Sequence, residues 1–318
     1  MTRSVPRPEI PPRGRFPMPE AIPTVPVDTS VYERDFKYYI FDWDDNILKM
    51  PTAIHMERRT PQGLWVPQDV STSLFSVIRK DTRNYRPPQG NWSIAFRDFL
   101  DDPQDGGATF LKDTAQALEQ ILSGRVAPPP SFRVFRDMLI EGRLFAIVTA
   151  RGHSSATIRQ GVKLFVERVL SLEERSRMMA SLRGYRHCFD HLDEYGSDEE
   201  ELERYLSLCP CQAVKSPEFR ARFGGALGGG AEESKRFAIR EFVLHIVHIL
   251  ERTGAAALKR NISIGFSDDD ASNVAAVEAY IEQELSRAFP DIRFCVYDTS
   301  DGDAVRKIVV SDSPRSGR

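Results

Sequence analysis

The segment Lys37–Asp45, KYYIFDWDD, places the strongest constraint on the fold of this chain. Four consecutive apolar residues, Tyr38, Tyr39, Ile40 and Phe41, run without polar alternation into three aspartates set around one tryptophan. An unbroken apolar strand is covered on both faces, which is the condition of a central strand in a parallel sheet. Carboxylates at its end predict a site at the carboxyl edge of that sheet.

The rest of the chain repeats this texture. LFAIVTA (144–150), NISIGF (261–266) and IRFCVYD (292–298) read as further buried strands. Apolar residues at helical spacing predict helices over 108–124, 131–142 and 153–170, with Ser154 as a cap, and again from Lys235 and over 273–288. Strands alternating with helices define an α/β fold with a parallel sheet covered on both faces. Between the first two strands lies a different pattern. TAIHMER and LWVPQDV flank the turn TPQG, predicting a β-hairpin over 52–70, followed by short helical stretches near 72–80 and 92–101. Residues 171–232 are charged through GSDEEELER and glycine-rich through GGALGGG, and read as connector. Those glycines lack the lysine and hydroxyl of a phosphate-binding loop.

Bulk properties narrow the function classes. The 318 residues are 41% hydrophobic and 28% charged, with a net charge of −3, so no overall positive field points to nucleic acid or an anionic membrane. The four cysteines, Cys188, Cys209, Cys211 and Cys295, are too few and too irregular for a disulfide framework, and CPC at 209–211 lacks a second pair of metal ligands; they read as structural thiols. No apolar run is long enough to span a bilayer, and no apolar stretch follows the early arginines, so a cytoplasmic protein without membrane contact is expected. Residues 1–30, rich in proline, read as an extended, disordered leader.

Asp42 and Asp44 are two residues apart and share one face of an extended chain. Phosphoryl transfer to a side chain needs such a pair: one carboxylate to attack phosphorus, the other to protonate the leaving oxygen and later deprotonate water. A divalent cation would offset repulsion between carboxylate and phosphate. The run Asp42, Trp43, Asp44, Asp45, Asn46, Ile47 resembles the first motif of the haloacid dehalogenase (HAD) superfamily, a hydrophobic strand followed by Asp-x-Asp-x-[Thr/Val]-[Leu/Val]. It departs at Asn46, where threonine or valine is usual, and at Asp45, where glycine is common.

The resemblance extends to three later motifs in the superfamily's order. Thr149 ends the second strand and is implied to bind phosphate with the backbone amide of Ala150. Lys235, near the start of a helix leading to the next strand, is implied as the neutralising lysine, with Lys215 and Lys259 as competitors. Asp268 and Asp269, after ISIGF, are implied to complete a Mg2+ site with Asp42 and Asp44, the last through its carbonyl; Asp270 and Ser272 equally suit a helix cap. Arg151 and His153 read as an exposed arginine and a helix-start histidine, outside the catalytic set.

The resemblance therefore implies a HAD-like three-layer Rossmannoid core with a parallel sheet and an inserted cap. The expected limits are core over 31–48 and 108–300, cap over 49–107, a candidate second insertion over 171–232, and a C-terminal strand and tail over 301–318. The implied activity is hydrolysis of phosphomonoesters of small molecules through an aspartyl-phosphate on Asp42, with dehalogenation disfavoured by the second aspartate. Two alternatives stay open. One is a catalytically impaired HAD-like binding protein, suggested by Asn46 and the atypical middle segment. The other is a phosphatase of nucleotides or nucleic-acid ends, suggested by Trp65, Trp92 and Phe96 among Arg58, Arg59, Arg79, Lys80, Arg83 and Arg86, residues that ordinary cap packing explains equally well.

Overall fold

Chain order and strand order disagree in one informative way. In the computed structural model, which describes residues 36–190, 195–223, 231–252, 262–301 and 305–311, the first strand, β1 (Phe36–Phe41), lies in the middle of a six-stranded sheet. From it the chain makes an excursion through β2 (Ile54–Arg59), β3 (Trp65–Val70), α1 (Thr72–Ile78), β4 (Tyr85–Arg86) and α2 (Trp92–Ala95). The core resumes with α3 (Ala108–Leu122), α4 (Pro130–Ile140), β5 (Phe145–Thr149), α5 (Ser155–Val169), α6 (Leu172–Asp190), α7 (Asp198–Ser207), β6 (Cys211–Ala213) and α8 (Pro217–Phe223). It ends with α9 (Ala231–Arg252), β7 (Ile262–Asp268), α10 (Ala271–Tyr280), β8 (Arg293–Asp298) and β9 (Arg306–Ser311).

The sheet order is β6-β5-β1-β7-β8-β9, parallel except for β9, which pairs antiparallel with β8. Winding first to one side of β1 and then to the other leaves a crevice between the carboxyl ends of β1 and β7, the usual ligand position in an open α/β sheet. Asp42 and Asp268 stand at those two ends.

Period-2 alternation sorts the strand side chains into two layers. Phe41, Phe145 and Ile147 face α3 to α7, whereas Ile40, Ala146, Val148 and Phe266 face α9 and α10. Phe135 of α4 anchors the first layer, with ring edges against Phe41, Phe145, Phe165 and Trp43. Truncating such a buried ring to alanine costs about 3–5 kcal/mol. Local signals support these elements: Ser154 accepts from Thr157 N to cap α5, and Gly142, at φ +65°, closes α4 in the left-handed conformation that glycine adopts without strain.

The excursion over 49–107 contains the expected hairpin. β2 and β3 pair antiparallel from Ile54↔Val70 to Arg59↔Trp65, and β3 is an edge strand, which accommodates Pro67. Its own small core comprises Ile54, Met56, Val70, Ile78, Ala95 and Phe99.

Within 171–232 the described elements join the main core and sheet. Met178, Met179 and Leu182 of α6 and Leu202, Tyr205 and Leu206 of α7 belong to the main hydrophobic core, and β6 is an edge strand of the main sheet, paired parallel with β5. Low overall hydropathy of these charged helices concealed apolar faces that are narrow but fully used. The leader 1–30, the stretch GGALGGG, Lys259, the side chain of Cys188 and residues beyond 311 lie outside the described residues. Among the described residues, no helix is long and apolar enough to cross a membrane.

Candidate active site

In Asp42-Trp43-Asp44 the outer residues reach the crevice while the middle one goes into the core. Trp43 is fully buried, its ring 5.7 Å from that of Phe110, and the Asp42 Oδ1 carboxylate oxygen accepts from the Trp43 amide at 2.8 Å. The chain then turns sharply at Asp45, whose φ of +54° lies in the left-handed region. Aspartate tolerates that conformation better than most residues.

The Lys235 ammonium joins the two strand ends. It donates to Asp42 Oδ2 at 3.0 Å and to Asp268 Oδ2 at 2.8 Å, and the side chain is 3% exposed. Burial alone would push the lysine down, but the two carboxylates more than offset that and hold it well above its ordinary range. Asp268 is fixed further by the Asp270 amide at 2.9 Å and by Asn273 Nδ2 at 3.3 Å. Asp270 also caps α10 by accepting from Ser272 N at 2.8 Å, as its place before the helix led one to expect.

One oxygen each from Asp42, Asp268 and Asp269 lies within 4.8 Å of the others. Burial, with added repulsion from neighbouring carboxylates, pushes Asp42 up to about 7 and Asp269 up to about 9. Three hard oxygen donors crowded in this way, with one ammonium among them in the described residues, suit a hard divalent cation.

Thr149 ends β5 with its hydroxyl 3.5 Å from Asp44 Oδ2 and accepts from the Arg151 amide at 3.3 Å; Ala150, beside it, is exposed. Lys215 follows β6 with its ammonium over the Phe96 ring at 5.2 Å, so of the described lysines Lys235 is the one that bridges the aspartates. Asp44, Thr149, Asp268, Asp269 and Lys235 thus converge with Asp42 on one edge of the sheet.

Arg151 is not exposed as expected, whereas His153 does stand at a helix start, one residue before the Ser154 cap of α5. Arg151 is 1% exposed and grips both oxygens of Asp44, through Nε at 2.8 Å and a terminal nitrogen at 2.6 Å. His153 is fully buried against Phe110 at 4.9 Å, and burial, reinforced by Arg151, pushes it down to about 4, so it is neutral at physiological pH. Alternation after the strand held a signal for Arg151, since position 151 shares a face with Thr149.

Asn46 is a structural tie. Its Nδ2 donates to the carbonyls of Asp42 and Ser267, both at 3.1 Å. Its Oδ1 accepts from the hydroxyls of Ser131 at 2.8 Å, Ser267 at 2.9 Å and Thr299 at 3.0 Å. In the insertion, Arg86 pairs with Glu57 and covers Trp65 at 4.3 Å, while Trp92 packs against Phe75 and Phe96, so these rings have partners within the chain. Cys209 and Cys211 are buried free thiols, consistent with a structural role.

Comparison with protein-family models, with curated proteins and with solved structures gives no match.

Proposed function

We propose that this chain is a Mg2+-dependent phosphomonoester hydrolase of the HAD type, working through an aspartyl-phosphate on Asp42, with residues 49–107 as its cap. The observation that carries the reading is the buried Asp42–Lys235–Asp268 bridge at the sheet's switch point, with Asp269 within reach of the same centre.

In this reading, Asp42 attacks phosphorus as the bond from phosphorus to the ester oxygen breaks. Asp44 gives its proton to the departing alcohol. Asp44 then takes a proton from water, which hydrolyses the acyl phosphate and regenerates Asp42. Lys235 and the Thr149 hydroxyl hold phosphoryl oxygens, with the exposed Ala150 backbone beside them. Asp42, Asp268 and Asp269, with the Asp44 carbonyl as the resemblance implies, would hold Mg2+, which would supply the charge neutralisation that a carboxylate needs to approach an anionic ester.

One observation favours a second reading, a catalytically impaired phosphate-binding protein: both Asp44 oxygens accept from Arg151. Phosphate release from a panel of phosphorylated metabolites, nucleotides and p-nitrophenyl phosphate, with and without Mg2+, separates the two. Mg2+-dependent turnover lost in Asp42→Asn supports the enzyme. Absence of turnover across the panel removes the enzymatic reading.

A further inference from the structure

Arg151 carries more than its pairing with Asp44. The terminal nitrogen that donates to Asp44 also donates to Thr52 Oγ1 at 2.8 Å, and the Thr52 hydroxyl donates to Asp113 Oδ2 at 2.6 Å. The face of the guanidinium lies over Phe99 at 4.6 Å and over Phe110 at 5.3 Å. Thr52 and Phe99 sit near the two ends of the 49–107 insertion. The backbone beside Arg151 is bound to the same end: Gly152 N donates to Phe99 O at 2.9 Å, and Ser154 N donates to Asp101 Oδ2 at 2.9 Å.

Arg151 is buried and Asp44 partly so, and such an arginine–carboxylate pair is a poor stabilising device, because desolvation consumes most of the attraction and apolar replacements often do as well. What the fork supplies is geometry: two parallel hydrogen bonds fix the plane and rotamer of the carboxylate, which a lysine cannot do. We propose that Arg151 is a positioning residue through which the seating of the 49–107 insertion aligns Asp44 for proton transfer. This rests on the phosphatase reading above. Protonated Asp44 releases one oxygen from the fork and gives that proton to the leaving alkoxide as the bond to phosphorus breaks. The carboxylate so formed is received again by both limbs of the fork, while Arg151 keeps its own protons throughout. Phe99 and Thr52, both from the insertion, hold the fork in register.

The test compares kcat/KM for 2,4-dinitrophenyl phosphate, whose leaving group departs without a proton, with that for a simple alkyl phosphate, whose leaving group needs one. Arg151→Lys is expected to lose about 100-fold on the alkyl ester and under about threefold on the dinitrophenyl ester, the difference that a misaligned general acid makes. Phe99→Leu, which leaves Arg151 in place, is expected to show the same selectivity at about tenfold on the alkyl ester. Equal losses on both esters in folded variants, or no loss, overturn the proposal while leaving the phosphatase reading intact. A wild-type chain that hydrolyses neither ester overturns both.

Discussion

Asn46→Ala is the substitution whose cost the geometry defines best. Five hydrogen bonds disappear: two given to the carbonyls of Asp42 and Ser267, and three received from Ser131, Ser267 and Thr299. Some partners recover. The Ser131 and Ser267 hydroxyls remain 2.7 Å apart, and Ser267 O still accepts from Asp42 N at 3.0 Å. The Asp42 carbonyl and the Thr299 hydroxyl have no such replacement among the described residues. Each buried polar group left unpaired costs about 1–3 kcal/mol, and with the small void left by the amide the total is about 3–5 kcal/mol. That is a large share of a typical folding stability of about 5–15 kcal/mol. Urea unfolding in EDTA, which prevents a bound cation from masking the loss, should show a clearly lowered midpoint at unchanged slope. Thermal unfolding should fall on the order of 10 °C. A loss below about 1 kcal/mol would refute the view that Asn46 ties the Asp42 loop to β7, α4 and the β8 end.

Other consequences follow from the same site. Asp42, raised from 3.8 to about 7, and Asp269, raised to about 9, bind protons more tightly folded than unfolded. Their contribution to stability is therefore full below the ordinary carboxylate range and is lost as pH rises through those values. Thermal midpoints in EDTA should fall over that interval and Mg2+ should restore more at its upper end; midpoints insensitive to both would contradict the clustering. At Gly161 a Cβ would stand 2.7 Å from Phe110 Cε1 and 3.4 Å from Trp43 Cζ2, so Gly161→Ala should cost about 1–3 kcal/mol in urea unfolding. Burial pushes Cys211 up to about 12 and Cys209 higher still, so neither should react with a thiol reagent until the chain unfolds; peptide mapping that finds fast native labelling at either would show the core to be open there.

What the sequence made legible was carried by local pattern. An apolar run against acids marked β1, LFAIVT and ISIGFSD marked its two neighbours, and TPQG marked the hairpin, because each signal lies within a few residues. The clustered aspartates Asp42 and Asp268 could be read for the same reason, since Asp42 directly follows β1 and Asp268 ends β7. The partnerships around them could not be read. Arg151 is buried because of a carboxylate 107 positions away, and Asn46 is satisfied by hydroxyls up to 253 positions away. An isolated arginine or asparagine after a strand carries no mark of such partners. β6 escaped for a different reason: it has three residues between charged helices, and only the neighbouring β5 makes it a strand.

The central claim is a phosphoryl group carried by Asp42. Borohydride reduces an acyl phosphate to the alcohol, so quenching the turning-over chain with tritiated borohydride and mapping peptides tests it directly. Tritium is expected in homoserine at position 42, dependent on substrate and Mg2+ and absent from Asp42→Asn. Label at another residue, or an unlabelled chain that nonetheless releases phosphate, would contradict it.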